Sequence, residues 1–258
     1  MSDWRSVEGR LAGWSCGEGT PLVFAHGFTQ TSNSWKPIAE HFAARGYESI
    51  IVDLPGHGAS ANGDVDLRQA ADMLTDMCGA GVYVGYSLGG RLCLHAAVAH
   101  PDSVHGLALI GASPGIADEA ERAARRAADD RMADRIIEIG VNAFLEDWLA
   151  RPLFAGLAVD PAARADRLRN TPQGLAASLR HAGTGAQESL WPQLDELAML
   201  VLAMAGDADV KFVEIGRQIA DRVQQGRFVE VPAAGHAAHL QSPRHVIDIL
   251  EPWLAEIS

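Results

Sequence analysis

Residues 81–100 read GVYVGYSLGGRLCLHAAVAH and give the strongest indication of the fold. The apolar run Gly81–Val84 predicts a buried strand, and Arg91–His100 has the pattern of a helix. The segment between them contains the motif G-x-S-x-G, in which a sharp turn holds a serine, here Ser87, above the end of a strand. We expect glycine at positions 85 and 89 because neighbouring backbone comes too close for a side chain. The order strand, turn, helix favours this interpretation over a chance Gly-Ser turn.

Other apolar runs predict the rest of a doubly wound, mostly parallel sheet. A helical pattern over residues 34–45 separates the first two runs, which is typical of a β-α-β unit with a right-handed crossover. From residue 114 to 192 the strand signals are replaced by helical segments rich in Ala, Arg and Asp. We therefore predict an α/β-hydrolase fold, with a core over 1–113 and 193–258 and a helical cap inserted over 114–192. The predicted strands are Pro21–Ala25, Glu48–Val52, Gly81–Val84, Val104–Ile110, Leu200–Ala205 and Arg227–Val231.

Composition limits the classes of function. The 258 residues carry a net charge of −12, which disfavours binding to nucleic acid and means that an anionic substrate must meet a local cluster of arginines. The N-terminal sequence lacks the pattern of a secretory signal, and no apolar run is long enough to span a membrane, so we expect a cytoplasmic protein without membrane insertion. Cys16, Cys78 and Cys93 have no metal-ligand spacing, and we expect them to be reduced packing residues. The sequence assigns no oligomeric state.

A serine on such a turn needs an acid that comes later in the chain, after a late strand. The run Leu200–Ala205 is followed by Gly206-Asp207-Ala208-Asp209. We select Asp209 because the commoner spacing places the acid three residues beyond the glycine. Asp207 is the alternative, and we expect it to be a solvated turn residue.

The catalytic histidine is expected on the loop after the last strand. Gly235-His236 occupies that place, and His239 follows three residues later, where a helical turn is predicted. We select His236 and expect His239 to be a capping or packing residue. The resulting order Ser87, Asp209, His236 is the order of the α/β hydrolases.

Two backbone N–H groups are expected to form an oxyanion hole. One is the amide that follows the serine, Leu88, and the other belongs to Phe28, in the sequence His26-Gly27-Phe28 after the first predicted parallel strand. Gly27 would allow the close approach that this loop needs, although an ordinary glycine turn is the alternative. We expect His26 and His57 to have structural functions in their loops.

The motifs taken together resemble a known family. HGF (26–28), DLPGHG (53–58), GYSLGGR (85–91), GDADVKF (206–212) and AAGHAAH (233–239) are similar to the synthases that make 2-succinyl-6-hydroxy-2,4-cyclohexadiene-1-carboxylate in menaquinone biosynthesis. The resemblance spans most of the chain. The first two motifs are shared widely among hydrolases. Arg91 directly after GYSLGG and Lys211-Phe212 after the acid are much more specific to the synthases. Gln30 is a departure, because the family more usually has glycine there.

The resemblance implies a substrate with three carboxylates and several arginines that face the serine. The matching substrate-binding positions are Tyr86, Arg91, Arg125, Trp148 and Arg169. For Arg125 the alternative is a solvated helix face, since Arg122, Arg126 and Arg131 lie close to it in the sequence. Tyr86 could equally be a packing residue beneath the cap.

The implied reaction is a lyase reaction, the elimination of pyruvate. Ser87, activated by His236 and Asp209, would remove a ring-adjacent C–H proton, and the chemistry requires no metal or organic cofactor. A serine hydrolase of a carboxylic ester or of a C–C bond in a ring-cleavage product is the alternative, because the same triad would serve it. A binding protein that has lost turnover is a second alternative, against which the complete triad argues.

Overall fold

The computed structural model describes residues 3–60 and 63–257. Residues 1, 2, 61, 62 and 258 of the predicted core lie outside the described residues. The strands are β1 Arg5–Val7, β2 Gly13–Cys16, β3 Thr20–Ala25, β4 Tyr47–Val52, β5 Gly81–Tyr86, β6 Val104–Ile110, β7 Leu200–Gly206 and β8 Gln225–Val231. The α-helices are α1 Lys36–Ala43, α2 Leu67–Cys78, α3 Leu88–Ala99, α4 Glu119–Leu149, α5 Pro161–Arg167, α6 Pro172–Ala182, α7 Val210–Arg222, α8 Ala238–Gln241 and α9 Pro243–Leu254.

The strands form a single sheet in the order β1-β2-β4-β3-β5-β6-β7-β8. All pairs from β4 to β8 are parallel, whereas β1 pairs with β2 and β2 with β4 in the antiparallel sense. The predicted parallel sheet and α/β-hydrolase fold class are confirmed. The prediction missed the antiparallel pair β1 and β2, whose strands have three and four residues and are too short for a clear apolar pattern.

Helices cover both faces of the sheet, so the central strands are buried on both sides. Apolar side chains of α1 and α9 pack on one face, and those of α2, α3 and α7 pack on the other. This explains why β5 is buried at every position and reads as an uninterrupted apolar run. Cys16, Cys78 and Cys93 are buried free thiols, as expected.

Between β6 and β7 the chain forms α4, α5 and α6, which have a small core of their own where α4 packs against α6. We call residues 114–192 the helical segment. The helix α4 is interrupted at Gly140, whose backbone has φ of 75° and ψ of 167°. The side chain of Phe28, from the loop after β3, packs against this small core and so joins the helical segment to the sheet. Among the helices of the described chain, none combines the length and the apolar character needed to cross a membrane.

Candidate active site

The structure brings Ser87, His236 and Asp209 together in a hydrogen-bonded chain. The distance from Ser87 Oγ to His236 Nε2 is 3.2 Å, and that from His236 Nδ1 to Asp209 Oδ2 is 2.7 Å. The three residues follow β5, β8 and β7 respectively, and parallel strands present their carboxyl ends at one edge of the sheet. His236 and Asp209 are both more than nine-tenths buried. This geometry lets the carboxylate orient the imidazole while the other ring nitrogen exchanges a proton with the serine.

Ser87 lies on a strained turn. Its backbone has φ of 52° and ψ of −107°, a region that non-glycine residues rarely adopt. A Cβ atom at Gly85 would come within 2.5 Å of the backbone of Gly89, and one at Gly89 within 2.2 Å of the Ala25 carbonyl oxygen. The expectation that both glycines are needed for close backbone approach is confirmed.

The loop that carries His236 is tied to the strand end that carries the acid. Asp207 accepts hydrogen bonds from the N–H groups of Ala233 and Ala234, at 3.0 and 3.2 Å. These two bonds hold the pKa of the Asp207 carboxyl below its usual range. Asp207 is an exposed turn residue, as expected, and its carboxylate also anchors the histidine loop. This function was missed because both hydrogen-bond partners lie more than 25 residues away.

Aromatic rings surround His236 and keep its environment apolar. The ring centroids of Phe212 and Tyr86 lie 4.6 and 5.3 Å from that of His236. His239 does not contact the serine; it is buried between Tyr86 and Trp35, with ring centroids 4.3 and 4.6 Å away. The structure thus places His239 as a packing residue.

Phe28 and Leu88 both line the cavity next to Ser87. Leu88 is the first residue of α3, so its N–H has no partner within the helix. Within residues 3–60 and 63–257, no protein acceptor takes the N–H of Phe28. A Cβ atom at Gly27 would approach the Tyr86 ring to 2.4 Å, which agrees with the expected need for close approach. The arrangement leaves two backbone donors beside the serine.

Two buried histidines connect the loop after β3 to the loop after β4. His26 Nε2 accepts the N–H of Leu54 at 3.0 Å, and His57 Nε2 accepts the N–H of Thr29 at 3.3 Å. Burial lowers the pKa of His57 to about 3 and also lowers the pKa of His26, so both rings are neutral acceptors at neutral pH. Their position agrees with the structural functions expected for them.

A cavity of about 630 Å³ lies above Ser87, between the sheet edge and the helical segment. Arg91 lines this cavity and donates hydrogen bonds to the Ala182 carbonyl (2.8 Å) and to Gln187 Oε1 (3.4 Å). Its partners in the described chain include no carboxylate. Burial, with a smaller contribution from the nearby Arg125 cation, lowers the pKa of Arg91 to about 10, which leaves it charged at neutral pH. Arg91 is therefore a buried cation without an acidic partner of its own.

Arg125 also lines the cavity, and its side chain is 39% exposed. Its Nε donates to the buried carboxylate of Asp129 at 2.8 Å, which holds the guanidinium at the cavity wall. Arg125 therefore lines the cavity that contains the serine. It is also partly exposed to solvent, which was the alternative.

The structure does not bring Arg169 into the cavity. Arg169 pairs with Asp166 at 2.9 Å, is 42% exposed and is not among the residues that line the cavity, so the expectation that it faces the serine was wrong. The buried arginine of this segment is Arg167, which donates to Thr29 Oγ1 at 2.7 Å. Two positions separate these residues, and α5 ends between them, so one arginine points inward and the other to solvent.

Three further side chains contribute to the cavity wall. Tyr86 and Trp148, which the resemblance implies as substrate-binding residues, both line it. Burial raises the pKa of the Tyr86 phenol above its usual range, so the phenol remains a hydrogen-bond donor. The sequence pattern identified Lys211 only as part of the motif GDADVKF (206–212). The structure shows that Lys211 also lines the cavity. Its place directly after the acid-bearing turn was the signal that could have identified it. Asp118 and Glu121 contribute negative charge to the same wall.

The described residues hold no group of three or more His, Cys, Asp or Glu side chains arranged to bind a metal ion. A serine on a strained strand-to-helix turn, followed in the chain by an acid and a histidine at the carboxyl edge of a parallel sheet, defines the serine-dependent α/β-hydrolase class.

Comparison with known proteins agrees with this class and narrows it. The model of the Alpha/beta hydrolase family matches residues 22–248. A Salmonella newport protein named 2-succinyl-6-hydroxy-2,4-cyclohexadiene-1-carboxylate synthase is 35% identical over 241 residues, which cover 90% of this chain and 93% of that protein. The Salmonella typhimurium protein of the same name is also 35% identical, over 243 residues that cover 90% and 93%.

Solved structures give the same result. MenH from S. aureus superposes with a TM-score of 0.87 at 30% identity and covers 100% of this chain and 99% of its own. A thermophilic esterase from Thermogutta terrifontis has a TM-score of 0.84 over 99% of both chains, but at 23% identity it supports the fold alone. The chain belongs to the alpha/beta hydrolase family and, within it, to the family of 2-succinyl-6-hydroxy-2,4-cyclohexadiene-1-carboxylate synthases.

Proposed function

We propose that this protein is a lyase that eliminates pyruvate from 2-succinyl-5-enolpyruvyl-6-hydroxy-3-cyclohexene-1-carboxylate. The observation that carries the proposal is Arg91, a buried cation without a carboxylate partner, in the same cavity as the Ser87 hydroxyl. A buried charge is costly unless it is paired, and an anionic substrate would supply the missing partner. A neutral ester would leave the Arg91 guanidinium with only the neutral oxygens of Ala182 and Gln187 as hydrogen-bond acceptors.

Ser87 acts as the base in the proposed reaction. His236 takes the hydroxyl proton of Ser87, while Asp209 stabilises the imidazolium that forms. The serine oxygen then removes a C–H proton adjacent to the succinyl carbonyl. The electron pair of that bond shifts into the ring, the C–O bond to the enolpyruvyl group breaks, and the released enolpyruvate takes up a proton to become pyruvate.

The two backbone donors next to Ser87 stabilise the charge that develops in this step. As the proton leaves, negative charge builds on the succinyl carbonyl oxygen, and the N–H groups of Phe28 and Leu88, two residues that line the cavity beside Ser87, donate hydrogen bonds to it. One such donor typically contributes about 2.7–4 kcal/mol to the stabilisation of a transition state.

The cations of the cavity wall bind the carboxylates. Arg91 and Arg125 present guanidinium groups, which pair with carboxylates through two parallel hydrogen bonds, and Lys211 adds a third positive charge. Tyr86 donates a further hydrogen bond from its neutral phenol. We place this reaction in the cytoplasm, with a dissolved polycarboxylate as the substrate; a net charge of −12 disfavours nucleic acid.

The test is pyruvate release from enzymatically generated 2-succinyl-5-enolpyruvyl-6-hydroxy-3-cyclohexene-1-carboxylate, measured against the spontaneous reaction, with p-nitrophenyl acetate as the matched neutral substrate. We expect pyruvate to be released far faster than spontaneously and the ester to be cleaved slowly. A rate of pyruvate release equal to the spontaneous one, together with fast ester cleavage, would replace the lyase with a serine hydrolase.

A further inference from the structure

Gln30 lies in the loop that follows β3, next to the active site, and its side chain is buried. It closes the four-residue turn 27–30, because its backbone N–H donates to the Gly27 carbonyl at 3.1 Å. The turn carries Phe28, whose N–H is the proposed oxyanion donor. The side chain is only 3% exposed, although glutamine is usually found at the surface.

The side-chain oxygen of Gln30 joins two buried donors. It accepts the backbone N–H of Gly27 at 3.2 Å and lies 3.3 Å from Nε2 of His239. Because a backbone N–H can only donate, the amide oxygen of Gln30 must point toward Gly27, and His239 then carries its proton on Nε2. The ring of His239 is itself fixed between Trp35 and Tyr86. Gln30 thus connects the oxyanion turn to a rigid aromatic stack.

The orientation of this turn decides where the Phe28 N–H points. The Gly27 carbonyl and the Phe28 N–H belong to one planar trans peptide, so they point in opposite directions. The carbonyl is turned inward, where it accepts from His26 Nδ1 at 2.8 Å and from the Gln30 N–H. The Phe28 N–H is therefore turned outward, to the cavity that contains Ser87.

The turn is strained and needs to be held. Thr29 has φ of 67°, which is unfavourable for a β-branched residue and typical of the third position of a type II turn. Two side chains bond to the backbone of Thr29: its N–H donates to His57, and its carbonyl accepts from Asn170 Nδ2 at 2.9 Å. A turn under strain relaxes when one of the contacts that hold it is removed.

We infer that Gln30 is a positioning residue for the reaction: its side-chain oxygen holds the Gly27–Phe28 peptide so that the Phe28 N–H faces the developing oxyanion. The inference rests on the proposed function of Phe28 as an oxyanion donor. Removal of this oxygen leaves the N–H groups of Gly27 and His239 buried without an acceptor, and the turn rotates to satisfy them. Substrate carboxylates still meet Arg91 and Arg125, so binding is retained while turnover falls.

The experiment compares Gln30→Met, which keeps the volume and removes the acceptor, with Gln30→Glu, which keeps both the chain length and an acceptor oxygen. Thr75→Val is the matched control, because it removes a buried hydroxyl that bonds to the Ala71 carbonyl within α2, away from the turn. Initial rates of pyruvate release give kcat and KM separately. Displacement of a catalytic group by about 1 Å costs up to about 100-fold in rate, so we expect kcat of the Met variant to fall about 10- to 100-fold with KM within about twofold.

The ranking of the variants separates positioning from packing. If the oxygen positions the turn, Gln30→Glu keeps more kcat than Gln30→Met, whereas a packing function favours the uncharged Met. A Met variant with wild-type kcat, or one that exceeds the Glu variant, overturns the inference. Thermal melting reports whether each variant folds. If the Met variant does not fold, Gln30→Asn replaces it, because the shorter side chain withdraws the same oxygen from both donors.

A second readout does not depend on the elimination reaction. Phenylboronic acid forms a tetrahedral adduct in which Ser87 Oγ bonds to boron, the serine proton passes to His236, and one boron-bound oxygen enters the oxyanion hole. We expect its inhibition constant to rise at least about 10-fold in Gln30→Met and to stay unchanged in Thr75→Val. An unchanged constant in Gln30→Met contradicts the inference. A wild-type protein that binds the boronate but releases no pyruvate contradicts the proposed function alone.

Discussion

The substitution Arg91→Met tests whether the cavity recognises an anion. Arg91 lines the cavity and donates to the Ala182 carbonyl at 2.8 Å, but no carboxylate in the described chain pairs with it. In the proposed complex its guanidinium meets a substrate carboxylate. Hydrogen bonds to charged groups contribute about 1.5–3 kcal/mol, which corresponds to about 10- to 150-fold in kcat/KM.

The assay measures kcat/KM for pyruvate release and for p-nitrophenyl acetate cleavage on the same preparations. For Arg91→Met we expect a loss of about 10- to 150-fold on the tricarboxylate and a change of less than about threefold on the ester. Arg91→Lys is the control that keeps the charge and removes the planar fork, and we expect an intermediate loss. Equal losses on both substrates would mean that Arg91 supports the fold or the triad and does not bind the substrate.

Two further predictions concern the triad and the buried histidines. Asp209→Asn should lower kcat about 10²- to 10⁴-fold in the pyruvate assay, since an amide in place of the carboxylate 2.7 Å from His236 Nδ1 stabilises the wrong tautomer; a loss below about threefold would remove Asp209 from the triad. Burial lowers the pKa of His57 to about 3 and that of His95 to about 4, from 6.5, so between pH 6.5 and 4 the unfolded chain binds protons that the native chain does not. Stability should therefore fall below pH 6.5 by about 1.4 kcal/mol per pH unit for each histidine. Urea unfolding at pH 7 and pH 5 measures this, and equal stabilities would contradict it.

The sheet could be predicted because its central strands are buried on both faces. Such strands read as uninterrupted apolar runs, and the predicted Val104–Ile110 has the bounds of β6. The antiparallel strands at the sheet edge were missed. Arg5–Val7 is mostly exposed, and its pairing with β2 depends on partners that an apolar pattern does not reveal.

The triad could be predicted because the strand ends fix the positions of its residues in the sequence. Ser87 must follow its strand and Asp209 must follow the later one, so the motif sets their positions. The arginines are different, because the backbone motif does not fix which way side chains point at the end of α5. The sequence RLRN contains Arg167 and Arg169, and only packing decides that Arg167 is buried. The contacts of Gln30 could not be predicted either, since one of them joins it to a residue 209 positions away.

If Ser87 is the base of a pyruvate elimination, its hydroxyl is essential, and a comparison of pyruvate release by Ser87→Ala and by wild type measures this. The substrate is generated enzymatically and used at once, and the spontaneous rate is subtracted. We expect pyruvate release to be fast for wild type and close to the spontaneous rate for Ser87→Ala, which should still bind the substrate through Arg91 and Arg125. Wild-type release that survives in Ser87→Ala would contradict the account, because another group would then remove the proton.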